Sequence, residues 1–150
     1  MPLEIPRNSV REPDGDLYTL LIGISYNDSR TAAPLPYCGS DVGKLKESLD
    51  HFGAKTTTMI DPTKSEIIKQ RRVLADTVTA RDRFVVFLSG HGCETTQANA
   101  GICLVPKDGE LTSVETLLRI DDVIDIIEDR CAGLAILVDA CRIDPRQAAK

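Results

Sequence analysis

A chain with two histidines and five cysteines has few ways to build a nucleophilic site, and the surroundings of these residues narrow the choice. His51 follows the apolar series Val42, Leu45 and Leu49 at the tail of an expected helix. An imidazole is favoured there by the negative end of the helix dipole, so a structural or solvated role accounts for it. His91 stands between two glycines in Ser89-Gly90-His91-Gly92, where a permissive backbone lets an imidazole and amide N–H groups approach a ligand. Cys141 follows 50 positions later in Asp139-Ala140-Cys141-Arg142. Its thiol needs a base: the thiolate attacks a carbonyl carbon, and the imidazolium then returns the proton to the leaving amine. Cys38, Cys93 and Cys103 lack the paired C-x-x-C spacing of a zinc site, so buried or merely unpaired thiols are expected at all three.

For His91 and Cys141 to meet, the segments before them must be neighbouring strands. Residues 84–89 (FVVFLS) and 134–138 (LAILV) are short, continuously apolar runs, the pattern of strands buried on both faces of a parallel sheet. Residues 17–25 and 55–60 read as two more strands. Val42, Leu45, Leu49 and Phe52 recur at helical spacing between Ser40, an expected N-cap, and Gly53, an expected stop. Thr63-x-x-Glu66 is a capping-box pattern that opens a second helix carrying Ile67, Leu74 and Val78, and a third helix is expected over 114–128. This alternation predicts an α/β fold, a mainly parallel sheet flanked by helices on both faces. Function in such sheets gathers at the carboxyl ends of the strands, directly after which both tetrapeptides are expected. Residues 1–16, with three prolines and many charges, read as a flexible arm, leaving 17–150 as the packed domain.

Hydrophobic residues at 42% and charged residues at 27% suit one globular domain. Three Tyr, three Phe, no Trp and a formal charge of −5 provide neither the stacking platform nor the basic surface of a nucleic-acid binder. The acidic excess suits a cationic substrate and equally suits plain solubility. No apolar run approaches the roughly 20 residues needed to span a bilayer, so no membrane partner is expected. An odd cysteine count and the lack of a charged-then-apolar leader point to a reducing cytoplasm. Gly23-Ile24-Ser25-Tyr26 follows the first strand where a nucleotide-binding domain would carry a glycine-rich phosphate loop, which ranks that reading last.

The two tetrapeptides, in this order and at strand ends, resemble the His and Cys motifs of the caspase-like cysteine peptidases, the superfamily of caspases, paracaspases and metacaspases. Residues 21–26 (LIGISY) and 35–42 (LPYCGSDV) resemble the first strand and the Cys-x-x-Asp-Val helix start of metacaspases, so the resemblance runs from about Leu17 to Arg142. It implies the large-subunit portion of an endopeptidase with Cys141 as nucleophile and His91 as acid/base partner. The backbone N–H groups of Gly92 and Cys141 would form the oxyanion hole. True caspases bind an Asp side chain with arginines, and Tyr37 holds the place of one of them here. Metacaspases and paracaspases carry Asp at the positions matched by Asp41 and Asp139, which implies cleavage after Arg or Lys. Taken singly, Asp41 also reads as a first-turn helix acid and Asp139 as a turn former.

No cofactor is required by this chemistry. Pro106-x-Asp108 and Asp121-Asp122 resemble the calcium ligands of many metacaspases, although acids are also favoured wherever a helix begins. The family fold continues past its Cys motif into a small-subunit portion, whereas nine residues follow Cys141 here. A small-subunit chain or a homo-oligomer is therefore expected at the open edge of the fourth strand, and Lys150 fits self-processing after a basic residue. The competing reading is a catalytically incomplete caspase-fold module that acts through a partner chain.

Overall fold

The computed structural model describes residues 15–29, 32–94 and 101–142, excluding the side chains of Cys141 and Arg142. The elements run β1 (Leu17–Gly23), α1 (Cys38–His51), β2 (Lys55–Ile60), α2 (Lys64–Thr77), β3 (Arg83–Glu94), β4 (Ile102–Leu104), β5 (Leu118–Arg119), α3 (Ile120–Glu128) and β6 (Gly133–Arg142). One sheet takes the order β2-β1-β3-β4-β5, with β6 paired to β3. β1, β2, β3 and β6 are parallel, and β4 and β5 add antiparallel pairs beyond the end of β1. The α/β class read from the alternation of patterns is the one observed.

Side chains at alternate strand positions share a face. Leu20, Ile22 and Ile24 after and within β1, and Phe84, Val86 and Leu88 on β3, are almost wholly buried. They pack with Ile67 and Leu74 of α2 and with Val123 and Ile127 of α3. Burying each such side chain stabilises the fold by about 1.5–3 kcal/mol. On the opposite face α1 crosses close to β1 because Gly23 has no side chain. An added Cβ there would stand 2.9 Å from the Cys38 carbonyl oxygen and 2.9 Å from a Val42 methyl.

Residues 1–14 of the expected arm lie outside the described residues, but Asp16 is tied to the body. Its N–H donates to the Asp82 carboxylate at 2.8 Å and its carbonyl accepts from Arg83 N–H at 2.9 Å. The capping box closes as the sequence predicts, with the Thr63 hydroxyl and the Glu66 carboxylate serving each other's backbone N–H groups. Helix α1 begins at Cys38, before the expected cap, and the Ser40 hydroxyl instead donates to the Tyr37 carbonyl. It ends at His51 with Phe52 as its C-cap, followed by Gly53, whose φ of +70° is a conformation glycine adopts without steric cost.

Three expectations are corrected. The helix expected over 114–128 is divided: Val114–Thr116 is a 3₁₀ turn, Leu118–Arg119 pairs with β4, and only Ile120–Glu128 is α-helical. Leu117 and Leu118, inside the span expected to be helical, are buried at that corner. The two tetrapeptides lie within their strands rather than after them. β3 continues to Glu94 and β6 to Arg142, because small Gly90, Gly92 and Ala140 allow the ladder to extend. Finally, the last strand is not covered on both faces among the described residues: Ile136, Leu137 and Val138 are 37%, 49% and 45% exposed.

Candidate functional site

The parallel register of β3 and β6 runs from Arg83↔Gly133 to Gly92↔Arg142, and within it His91 and Cys141 are direct Cα partners. Adjacent strands lie about 4.8 Å apart, so the two positions are nearest neighbours across one ladder. His91 is buried, 5% exposed, and two protein groups fix its ring. Nε2 lies 2.7 Å from the Ala33 carbonyl oxygen, and a carbonyl can only accept, so Nε2 carries the hydrogen of the neutral ring. Nδ1 is then the basic nitrogen, and it is buried without a hydrogen-bond partner among the described residues. An imidazole with one nitrogen anchored and the other open is arranged to take a proton from a neighbouring acid.

Tyr26 sits beneath this ring with centroids 4.5 Å apart and planes at 42°. Its hydroxyl accepts from His91 N–H at 2.8 Å and donates to the Val105 carbonyl at 2.6 Å, while Val105 N–H donates directly to the His91 carbonyl at 2.9 Å. Burial pushes the phenol far above its ordinary pKa, so it stays neutral. Because both backbone groups of His91 engage the β1–β4 side, strand alternation turns the Gly92 N–H toward β6, the side on which Cys141 stands. Sequence reasoning missed Ala33 and Tyr26. A backbone carbonyl leaves no mark in residue type, and Tyr26 had only its place in the metacaspase-like first strand to signal it.

Asp41 from α1 and Asp139 from β6 line one cleft of about 500 Å³, together with Lys44, Ser48, Phe87 and Leu137. The structure thus brings the two carboxylates to a common space, and adds an ammonium that the sequence reading did not weigh. The ladder pairs Phe87 with Leu137 and Ser89 with Asp139 before reaching His91, so the cleft floor and the imidazole follow one another along the same face of β3.

The proposed calcium ligands are arranged differently. Asp108 accepts the backbone N–H of Lys64 at 2.8 Å and so serves the start of α2, while Asp121 faces Arg119 at 3.4 Å. No group of three or more His, Cys, Asp or Glu side chains suited to a metal occurs among the described residues, and Asp108, Asp121 and Asp122 as they stand do not make a calcium donor set. Cys93 and Cys103 face each other across β3 and β4, both buried and unbridged. Burial pushes the Cys93 thiol up to about 11 and raises Cys103 as well, so neither is a thiolate at neutral pH. Cys38 accepts the Ser89 hydroxyl at 3.1 Å in the α1–β3 interface. His51 is exposed, its Nδ1 2.6 Å from the Glu47 carbonyl one helical turn back, in keeping with its structural reading. No helix among the described residues is long and apolar enough to cross a membrane.

A family model described as the caspase domain matches residues 17–150. Among solved structures, the protein GSU0716 from Geobacter sulfurreducens is similar in fold, with a TM-score of 0.63 and 21% sequence identity. The match covers 85% of this chain and 50% of that one, so the chain spans half the length of that relative. No curated protein sequence matches the chain.

Proposed function

Since this chain belongs to the caspase-domain family of cysteine peptidases, we propose that it is the large-subunit portion of an endopeptidase that cleaves after Arg or Lys through a Cys141/His91 dyad. The observation that carries this reading is the His91↔Cys141 register beside an imidazole held by Ala33 with Nδ1 open. In the reaction so read, Nδ1 takes the Cys141 proton as sulfur bonds to the scissile carbonyl carbon. The family resemblance assigns the oxygen's negative charge to the N–H groups of Gly92 and Cys141; both lie in the β3–β6 ladder, so in this reading the end of that ladder opens when substrate binds. Collapse breaks the C–N bond, and the imidazolium gives its proton to the departing amine. Water then attacks the thioester with His91 as base, releasing the acid and restoring the thiol.

The basic-residue preference is supported by the shared cleft of Asp41 and Asp139, since a guanidinium can donate charge-assisted hydrogen bonds to two carboxylates. A cytoplasmic setting suits a mechanism that needs a reduced thiol. The test is an arginyl chloromethyl ketone followed by intact-mass analysis. One adduct on the unsubstituted protein, absent in Cys141→Ala and in His91→Ala, is expected. An adduct that survives Cys141→Ala, or stronger labelling by an aspartyl reagent, overturns the assignment.

A second reading draws on the half-exposed apolar row of β6, whose outer edge is unpaired among the described residues. In it the chain is an incomplete module until a small-subunit chain or a second copy adds a strand there. No labelling alone, with labelling restored by a complementary chain, would favour it.

A further inference from the structure

We infer that Tyr26 is a positioning residue for His91, setting the imidazole's aim through its hydroxyl and its ring; this rests on the peptidase reading of the dyad. A regular antiparallel pair at His91 and Val105 would exchange two direct N–H···O bonds. Here one is direct, Val105 N–H to His91 O at 2.9 Å, and the other is relayed through the Tyr26 hydroxyl at 2.8 and 2.6 Å. The phenol oxygen is a spacer inserted into the ladder, and it holds the backbone of His91 off the chain that follows β4 on one side only. An offset of this kind rotates the Cα–Cβ bond of His91, which decides where the imidazole is aimed.

The ring supplies the second restraint. Packed 4.5 Å from the imidazole at 42°, it forms one wall of the His91 slot, while the Ala33 carbonyl anchors the far nitrogen. Backbone, ring face and Nε2 are each held, and Nδ1 alone is left open. Two further features show what the fold accommodates to keep this arrangement. Tyr26 adopts a φ of +57°, uncommon for any residue but glycine and costly for an aromatic one. Residue 90 must be glycine-small, because a Cβ there would stand 2.8 Å from the Tyr26 hydroxyl. A hydroxyl that merely satisfied a stray carbonyl would not need a left-handed backbone and an empty neighbouring position.

The discriminating variant is Tyr26→Phe, which keeps the ring and removes the spacer. The expected result on Arg-ended peptides is a fall in kcat of about tenfold to a hundredfold with KM nearly unchanged, since sub-ångström misplacement of a catalytic group costs on this scale. Nitrogen-15 NMR of the labelled imidazoles gives a readout independent of turnover. The unsubstituted protein is expected to hold neutral His91 as the Nε2–H tautomer alone, and Tyr26→Phe to show exchange between tautomers. Loss of stability with kcat and tautomer unmoved would reduce Tyr26 to a structural role and overturn the inference. So would two tautomers in the unsubstituted protein, a measurement that needs no variant to fold. If the unsubstituted protein turns over no peptide either alone or with a complementary small-subunit chain, the dyad reading fails, and the tautomer pair still decides what Tyr26 does.

Discussion

Gly90→Ala offers a test of how tightly the ladder around His91 is built. The new methyl would lie 2.8 Å from the Tyr26 hydroxyl oxygen, 3.2 Å from a Leu104 methyl and 3.5 Å from Ile24 Cβ. An ordinary contact to that oxygen needs several tenths of an ångström more, and the oxygen is pinned by bonds of 2.8 and 2.6 Å. Releasing one of these costs about 1 kcal/mol, and crowding a closed site adds about 1–3 kcal/mol. Replacing glycine in a strand returns about 0.5–1 kcal/mol of backbone entropy, leaving a net loss of about 1–3.5 kcal/mol. Urea unfolding at unchanged slope measures it. Gly43→Ala on α1, where nothing lies within 4 Å, should instead stabilise by about 0.5–1 kcal/mol. A double-mutant cycle then isolates the cause: in Tyr26→Phe the obstructing oxygen is gone, so Gly90→Ala should cost at least about 1 kcal/mol less. Costs that add within about 0.3 kcal/mol would refute the clash with the hydroxyl.

Three further outcomes are expected. Asp41→Asn and Asp139→Asn should each lower kcat/KM for Arg-ended peptides about tenfold, a modest loss because both side chains are partly solvated, while Ala-ended peptides are unaffected; equal losses on both would place the carboxylates outside recognition. The Asp82 carboxyl is held below its ordinary range mainly by the Thr79 N–H, so its stabilising share is present above the unfolded pKa and fades as pH falls through the lowered folded one. Asp82→Asn should flatten the acid limb of stability against pH, and an unchanged limb would count against this bond. A neutral-pH maleimide should modify Cys141 well before Cys93, whose thiol is pushed up to about 11, and the reverse order would count against the choice of nucleophile.

What could be read from residue types was what repeats or caps. Apolar runs announced β1, β3 and β6, and Thr63-x-x-Glu66 gave the start of α2 at the observed residue. β4 and β5, of three and two residues, are too short for alternation to show. The helix expected over 114–128 took in Leu118 and Arg119, which pair with β4 instead. In the site, His91 and Asp139 stood out by residue type and by their place in the two tetrapeptides. The Ala33 carbonyl was invisible because every residue carries one, and the relay through Tyr26 depends on a bend in the chain rather than on spacing.

The two halves of the proposed dyad are mounted on elements of unequal rigidity. His91 belongs to the strand at the middle of the sheet, gripped by neighbours on both edges, whereas Cys141 rides on an outermost strand whose hydrophobic side chains are still partly wet. Local opening begins where least surface is hidden from water, so the mount of the proposed nucleophile should loosen before that of the proposed base. If the dyad acts as proposed, reactivity should fade before the body melts, and any molecule that settles against the loose rim would raise it by stiffening that strand.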